Sequence, residues 1–349
     1  MRVLSMQPKE LKEDTVLERY KINRPTSVGP MMRKLLAVVA AFGLITFGLL
    51  LIGSIDVAWS QTVRQYNLEI VPVDIEMGPG VVWHAWTFNG AVPGPTLIAT
   101  VGETLRVRVT NRHNLTHSFH THLTNYDLKY DGSQSNTITG IGAGAMIPPG
   151  SQYTYEFQPT EPGIYYYHCH SADGGFMISE HIHQGLYGAI IVKAPEDPPI
   201  RDEVIFMSEP GHDIMVSEGG ETPLYIMNGM GIPGGEHGLE KIFKEKGLAG
   251  VVEQFNKTLP AIKVKVGEPF RLHVINIGDQ MHTFHAHHFK HVSQSALQGR
   301  IWPANLLPLL PGAADTLIMA ATKPGVWLFH CHVVNHADQG MIGVFIVEE

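Results

Sequence analysis

The chain has 349 residues, 44% of them hydrophobic and 17% charged, so it is long enough for one large or two ordinary globular domains with sizeable cores. Its formal net charge of −8 argues against nucleic acid as a partner. The 20 histidines stand beside only 2 cysteines, which excludes a disulfide framework. Neutral imidazole is the commonest protein ligand for zinc, copper, iron and nickel, so this composition indicates metal binding.

The N-terminal 60 residues contain an apolar run at positions 35–52, preceded by Arg33 and Lys34. This pattern predicts an export signal cleaved after Ser60, or a single membrane anchor. Both remain open, because the run is long for the apolar core of a signal peptide and close to the length that spans a bilayer. Either outcome places the rest of the chain in the periplasm or in another extracytoplasmic compartment.

Beyond residue 60 the sequence predicts an all-β fold. Short β-rich runs at 66–71 and 105–109 are separated by turn signals such as Asn89-Gly90. A proline-rich break at 194–199 divides the exported part into two nearly equal pieces. The predicted segments are residues 1–60 as tail and signal or anchor, residues 61–196 as the first β-sandwich domain, and residues 197–349 as the second.

The second piece repeats the first. The matching strings are Asn89-Gly90 with Asn228-Gly229, residues 101–103 with 266–268, and residues 162–163 with 324–325. Self-similarity of this kind indicates a tandem duplication of one sandwich. The second copy also carries an insertion of about 26 residues, in which Leu239, Ile242, Phe243 and Leu248 could share one side of a helix. We expect a packing or interface helix there.

Each repeat contains an early histidine cluster and a late His-Cys-His string. The early clusters are His117, His120 and His122 in the first repeat, and His282, His285 and His287 in the second. The late strings are His168-Cys169-His170 and His330-Cys331-His332. Residues i and i+2 of a strand project from the same face. Each cysteine should therefore point away from the histidines that flank it, so that two kinds of site are built back to back.

The cysteine side can close with two imidazoles into the trigonal arrangement of blue copper, with a weak axial ligand that tunes the potential. In the second repeat the predicted set is His282, Cys331, His336 and the axial Met341. His336 and Met341 both follow Cys331 within one short string of the sequence.

In the first repeat the predicted copper set is His117, Cys169 and His181. Aligning the two repeats places Leu186 at the axial position, where it cannot act as a ligand. The loop from Cys169 to His181 is 12 residues long, against 5 for the matching loop, so His183 is the alternative to His181.

The opposite side offers eight imidazoles, four from each repeat. They belong to His120, His122, His168, His170, His285, His287, His330 and His332. Eight neutral nitrogens could serve three copper ions and leave room for oxygen species. Each cysteine is covalently adjacent to these histidines, which gives an electron a short bonded route. The other histidines are expected to be surface or packing residues: His84, His113, His212, His237, His273, His288 and His291.

These strings resemble those of the multicopper oxidases, a family that includes laccases, ascorbate oxidase and cuprous or ferrous oxidases. Residues 86–90 with 93–95 are similar to the N-terminal signature of the family, and the string ending at Met341 to its C-terminal one. The likeness covers about residues 62–349. It implies two tandem cupredoxin-like Greek-key sandwiches of the two-domain, laccase-like branch. Three chains of that branch form a ring, with each cluster between domain 1 of one chain and domain 2 of the next.

The resemblance also implies a reaction. A reducing substrate loses single electrons at type 1 copper, and dioxygen is reduced to water at a cluster of type 2 and type 3 copper, with about five copper ions per chain. It suggests Asp131 as a carboxylate that aids proton delivery, although Asp131-Gly132 is also a turn signal. A second acidic residue found in some members is replaced here by residues 333–335, Val-Val-Asn. The electron donor can be a small molecule, a metal ion or a redox protein.

Three alternatives fit the sequence less well. Zinc sites do not require thiolate and imidazole on opposite strand faces in both repeats. Copper nitrite reductase also has two cupredoxin domains in a trimer, but it has an Asp at the position of His120 and no ligand at that of His170. A non-catalytic copper or electron-transfer protein would need the cysteine sites without the eight imidazoles.

Overall fold

The structure is a computed structural model that describes residues 62–78, 80–133, 145–218, 220–257, 259–289, 291–293 and 305–349. The predicted signal or membrane anchor in residues 1–60 lies outside the described residues. Across the ranges that are described, no helix combines the length and the apolar character needed to cross a membrane.

The first repeat forms a sandwich of two sheets. Its strands are β1 (Val63–Gly78), β2 (Val81–Phe88), β3 (Gly94–Thr100), β4 (Thr104–Asn111), β5 (His120–Thr121), β6 (Gln152–Phe157), β7 (Gly163–His168) and β8 (Tyr187–Lys193). One sheet has the order β2-β1-β4-β6, and the other has the order β3-β8-β7-β5. Because β5 pairs with β7, His120 lies directly opposite His168.

The second repeat forms a matching sandwich. Its strands follow the linker as β9 (Arg201–Ser208), β10 (Ile214–Val216), β11 (Ile226–Met227), β12 (Ala261–Lys265), β13 (Pro269–Asn276), β14 (His282–Ala286), β15 (His291–Ser293), β16 (Leu306–Leu309), β17 (Ala314–Ala320), β18 (Gly325–Cys331) and β19 (Ile342–Glu348). Its sheets have the orders β11-β9-β13-β17-β15 and β12-β19-β18-β14-β16. The predicted all-β fold of two tandem sandwiches is confirmed.

The strand β10 belongs to the second piece of the sequence but pairs with β2 of the first sandwich. It covers an edge of that sheet, which would otherwise present unpaired backbone groups. The chain therefore crosses back over the first sandwich after the linker at 194–199.

The two sandwiches share local details as well as topology. Asn89 and Asn228 both have positive φ, 59° and 51°, and each begins an Asn-Gly turn, where left-handed backbone favours these two residue types. Asn111 and Asn276 each donate two side-chain hydrogen bonds to backbone carbonyls, which pins the loop that precedes the first histidine of the repeat. The duplication seen in the sequence is thus a duplication of conformation.

The sandwiches pack against each other through apolar and polar contacts. A buried cluster between them includes Tyr166 and Tyr187 from the first repeat and Phe206 and Ile275 from the second. The Tyr166 hydroxyl also donates to the carbonyl oxygen of Gly312 at 3.0 Å. The two sandwiches are therefore joined by both kinds of contact.

In the described part of the chain, three α-helical segments lie outside the sheets: α1 (Ile178–His183), α2 (Gly235–Lys257), which is kinked at Gly247, and α3 (Val334–Asp338). The helix α2 occupies the insertion, as the sequence predicts. Its Leu239 and Ile242 pack against a cluster that contains Ala337 of α3, whereas Phe243 is 55% exposed. The short helices α1 and α3 each carry a histidine toward a cysteine.

Candidate metal centres

Three buried side chains converge in the first sandwich. Cys169 follows β7, His117 lies in the loop after β4, and His181 lies on α1. The Cys169 Sγ is 3.5 Å from His117 Nδ1 and 3.4 Å from His181 Nδ1, and the two nitrogens are 3.2 Å apart. The alternative residue, His183, instead places its Nε2 at 3.8 Å from Glu209 Oε2. His181 is the histidine beside the thiol.

The three donor atoms fit a metal ion. The centre of a triangle with edges between 3.2 and 3.5 Å lies about 2 Å from each corner, the usual length of a metal–imidazole bond. A trigonal set of one thiolate and two imidazoles is typical of blue copper. The spacing and the chemistry of the three donors in the first sandwich therefore fit a copper ion at Cys169.

The second sandwich repeats this arrangement with a slightly wider triangle. The Cys331 Sγ is 3.9 Å from His282 Nδ1 and 3.7 Å from His336 Nδ1, and the two nitrogens are 3.1 Å apart. His336 lies on α3, in the position that corresponds to His181 on α1. Met341 is fully buried in the same apolar cluster as Cys331.

Burial sets the protonation state of these donors. Loss of hydration on burial, together with the neighbouring rings of His181 and His113, lowers the pKa of His117 to about 2. The imidazole is therefore neutral at pH 7. Burial raises the pKa of the Cys169 thiol to about 11, and it raises the pKa of Cys331 in the same direction. A binding ion displaces the thiol proton, whereas it meets the imidazoles already deprotonated.

Four imidazoles cluster on the opposite face of the first His-Cys-His string. Ring centroids are 5.2 Å apart for His120 and His168, 4.9 Å for His120 and His170, and 5.4 Å for His122 and His168. The Nε2 atoms of His122 and His168 approach to 3.2 Å. His170 Nδ1 is buried without a hydrogen-bond partner in the described part of the chain. Converging lone pairs and a buried orphan nitrogen both fit metal ligation.

The second repeat contains an equivalent set of four. His285 lies 5.0 Å from His287, 5.0 Å from His330 and 5.1 Å from His332, measured between ring centroids. The Nε2 atoms of His287 and His330 are 3.2 Å apart, the same separation as in the first set. Both cysteines are thus backed by four imidazoles, as the alternation along a strand predicts.

Backbone carbonyls orient half of these rings. The Nδ1 atoms of four histidines lie within hydrogen-bond distance of carbonyl oxygens: His120 with Asp131 at 2.6 Å, His168 with Cys169 at 2.9 Å, His285 with Asn305 at 2.8 Å, and His330 with Cys331 at 2.8 Å. A carbonyl only accepts, so Nδ1 carries the proton and Nε2 keeps a free lone pair. Burial lowers the pKa of His122 to about 4 and that of His168 to about 3, so these rings are neutral at pH 7.

Within one chain the two imidazole sets stay apart. Among the residues that the structure describes, no hydrogen bond or ring contact joins a member of the first set to a member of the second, and the ligand groups are separate.

Asp131 lies at the edge of the first imidazole set. Its Oδ1 is 3.7 Å from His120 Nδ1 and accepts a hydrogen bond from the Tyr126 hydroxyl at 3.0 Å. Burial alone would raise the pKa of Asp131, but hydrogen bonds from Ser133 and Tyr126 and the proximity of His120 hold it below its usual range. The group is an ionised carboxylate at neutral pH.

Two residues beside the cysteine sites were not predicted from the sequence to have a role there. His113, expected as a surface or packing residue, places Nδ1 at 2.7 Å from His117 Nε2, and its ring centroid lies 4.9 Å from that of Trp86 in a tilted arrangement. Its spacing of four residues from His117 was an available signal. Glu209 places Oε1 at 3.5 Å from His282 Nε2. Nothing in the sequence marks it, because it follows β9, an element remote from β14 along the chain.

The chain is similar to curated proteins of two descriptions. It is 27% identical over 297 residues to a probable nitrite reductase-hydroxylamine oxidoreductase fusion protein of Kuenenia stuttgartiensis, covering 81% of this chain and 31% of that protein. It is 28% identical over 241 residues to a copper-containing nitrite reductase of Neisseria meningitidis serogroup A, covering 65% of this chain and 53% of that protein. The chain thus spans about a third to a half of the length of these relatives.

A solved structure and two family models give the classification. A crystal structure described as a multicopper oxidase is 29% identical, with a TM-score of 0.62, and the match covers 82% of this chain and 90% of that one. Sequence models of the multicopper oxidases match residues 70–197 and residues 239–349. Because these two matches together span more than half of its residues, the chain belongs to the multicopper oxidase family.

Proposed function

We propose that this protein is an extracytoplasmic oxidase that takes single electrons from a reducing substrate at its two cysteine sites and passes them to a trinuclear cluster, where dioxygen is reduced to water. The observation that carries the proposal is the pair of four-imidazole sets, one behind each cysteine. A mononuclear catalytic metal commonly takes about three protein ligands, so eight imidazoles suit three ions better than one. Copper, when bound, supplies the one-electron chemistry and the oxygen chemistry.

The protein itself supplies the connection between the two kinds of site. Cys169 is joined through the backbone to His168 and His170, and its carbonyl oxygen also accepts a hydrogen bond from His168 Nδ1 at 2.9 Å. Cys331 and His330 form the same bridge at 2.8 Å. Each thiol is therefore linked by covalent bonds and one hydrogen bond to the imidazoles on the opposite face, a route that avoids a jump through solvent.

The separation of the two imidazole sets within a chain leads us to propose a homotrimeric ring. In such a ring the first set of one chain faces the second set of the next, which is a heterologous interface that closes by rotation. Every cluster then contains four imidazoles from each of two chains.

Asp131 is the residue that we propose for proton delivery. Its ionised Oδ1 can accept a proton from solvent and release it toward the imidazole set, and the hydrogen bond from Tyr126 holds the carboxylate in place. The backbone carbonyl of the same residue orients His120, so the main chain and side chain of Asp131 serve different purposes.

Nitrite reduction is the second candidate, favoured by the similarity to proteins that are described as nitrite reductases. A single catalytic copper between chains would leave several of the eight imidazoles without a purpose. In particular, His170 Nδ1, which is buried without a hydrogen-bond partner among the described residues, would have no role.

Copper content and turnover distinguish the two functions. The copper-loaded protein should hold about five copper ions per chain, two of them with strong thiolate-to-copper absorption, and it should consume oxygen with an artificial electron donor. A content near two per chain, with nitrite turnover and no oxygen uptake, would establish the reductase instead. A screen of phenols, cuprous and ferrous ions, reduced nitrogen compounds and small redox proteins would then identify the donor class.

A further inference from the structure

One carboxylate lies between the cysteine sites of the two sandwiches. Glu209 follows directly after β9, and its two oxygens face histidines from different repeats. Oε1 is 3.5 Å from Nε2 of His282, the outer nitrogen of a ring whose Nδ1 faces Cys331. Oε2 is 3.8 Å from Nε2 of His183, which lies on α1 two residues after His181.

The local structure is built to hold this carboxylate. The backbone N–H of Asp279 donates to Glu209 Oε2 at 3.0 Å. A Cβ atom at Gly278 would lie 2.2 Å from the same oxygen, so glycine at that position is what allows the close approach. Glu209 Oε1 and His282 Nε2 are both buried, and neither has a standard hydrogen bond to any other group in the described ranges. The two atoms lie 3.5 Å apart.

The charge of Glu209 follows from these contacts. The backbone N–H of Asp279 and the Nε2 atom of His282 both face the carboxylate oxygens, at 3.0 and 3.5 Å. A glutamate side chain is ordinarily ionised at pH 7, and this geometry suits an anion. In the first sandwich the outer nitrogen of His117 instead faces an imidazole, with His113 Nδ1 at 2.7 Å, and no carboxylate takes that place.

We propose that Glu209 is a positioning residue that orients His282 at the domain 2 copper, lowers the reduction potential of that copper, and fastens the site to α1 of domain 1 through His183. When Nδ1 binds a metal ion, Nε2 of a neutral imidazole carries the proton and can donate it to the carboxylate. The anion makes the ring a better electron donor and stabilises the more positive, oxidised ion. His113 cannot do so at the domain 1 copper.

The inference rests on copper at Cys331 and not on the reaction at the cluster, so it stands for an oxidase and for a nitrite reductase alike. The test uses the full chain in a Cys169→Ser background, in which only the domain 2 site can give the blue absorption. A redox titration followed by that absorption measures the potential. Copper content is measured on the same samples.

Glu209→Gln keeps the size of the side chain and removes its charge. The potential should rise by at least the shift of a tenfold change in the ratio of oxidised to reduced copper, about 59 mV for one electron. Glu209→Asp keeps the charge and should restore most of the parent value. Asp279→Asn is the matched control: it removes the carboxylate 3.6 Å from His183 and leaves the contact with His282. It should leave the potential at the parent value.

The interaction between Glu209 and His183 is tested by a double-mutant cycle with Glu209→Gln and His183→Gln. The free energy of unfolding in urea is measured for each variant. The two losses of stability should overlap, so that the double variant loses less than the sum of the single ones. An unchanged potential in a fully loaded Glu209→Gln variant, or an equal rise in Asp279→Asn, would overturn the role at the copper. If Glu209→Gln fails to load copper, Glu209→Asp and Glu209→Ala are compared instead. Equal potentials in these two variants, at full copper loading, would also overturn the role of the Glu209 charge at the copper.

Discussion

The backbone N–H of Cys169 donates a hydrogen bond to the carbonyl oxygen of Leu186, with 3.0 Å between N and O. In the second sandwich the N–H of Cys331 donates to the carbonyl oxygen of Met341 at 3.1 Å. Both acceptor residues are fully buried, each in the core cluster of its own cysteine. Leu186 therefore stands where Met341 stands, and the first site has no thioether at that position.

Replacing Leu186 with Met should lower the reduction potential of the domain 1 copper, because a soft axial sulfur donates electron density to the oxidised ion. We expect the reduction potential to fall by about 60 mV or more, which corresponds to a tenfold change in the ratio of oxidised to reduced copper. The measurement is a redox titration of the blue absorption in a Cys331→Ser background, where only the first site contributes. Leu186→Ile, which adds no sulfur, is the control. An unchanged potential and spectrum for Leu186→Met would show that this position is not axial to the copper.

The two histidines of α1 should behave differently on substitution. His181→Ala removes a nitrogen 3.4 Å from Cys169 Sγ, so it should abolish the blue absorption of the first site in the same Cys331→Ser background. His183→Ala removes a ring that faces Glu209, and the absorption should persist. Visible spectra at equal copper loading make the comparison. The opposite result would assign the ligand to His183.

The ring predicts complementation between chains. A chain with His120→Gln and His122→Gln loses half of one imidazole set, and a chain with His285→Gln and His287→Gln loses half of the other. Each should be inactive alone and lack cluster copper. Mixed trimers should regain activity and cluster copper at the interfaces where two intact sets meet. A solution mass of one chain, or no recovery on co-expression, would contradict the ring.

Asp131→Asn should slow turnover while the copper content stays full, because the backbone carbonyl that orients His120 is unchanged. General acid–base groups contribute about a hundredfold or more, so we expect a loss of that size in oxygen uptake. The remaining activity should lose the acidic limb of its pH profile. Asp127→Asn, a substitution at an exposed carboxylate on the neighbouring turn, is the control. A variant with the parent rate would remove Asp131 from the proton route.

Acid should weaken the second sandwich through Asp202. Its carboxylate oxygens pair with nitrogens of three basic side chains: Arg271 at 2.7 Å, His273 at 3.0 Å and Lys193 at 2.8 Å. Although burial by itself raises the pKa of Asp202, these partners hold it well below its usual range. The stability that the ionised group contributes is therefore complete above about pH 4, where aspartate ionises in the unfolded chain, and is lost as the pH falls toward the folded-state value.

Asp202→Asn should accordingly lower the free energy of unfolding by about 3 kcal/mol at pH 7, since it leaves buried cations short of their anion. Urea unfolding of the copper-free chain measures this difference, which should shrink at pH 3. Glu156→Gln, in the half-exposed pair with Arg106, should cost less than about 1 kcal/mol. Equal effects of the two substitutions would show that the Asp202 network is not a buried source of stability.

The sequence by itself determined the duplication and the face on which each ligand type lies. Both follow from local rules, since a period of two on a strand separates Cys169 from His168 and His170 whatever surrounds them. The Asn-Gly turns were equally local, because left-handed backbone favours those residue types. Local rules could not predict which residues from other elements pack against each face of these strands.

Only the tertiary structure decided which loop residue completes a site and which side chains surround the donor atoms. The choice between His181 and His183 depended on how a long loop folds into α1, which turns one ring toward Cys169 and the other toward the second sandwich. The place of Glu209 beside His282 depended on how β9 and β14 meet, and on a glycine that leaves room for the carboxylate. A side chain's direction within a strand is fixed by backbone geometry, whereas contacts between remote elements are set by the packing of the whole fold.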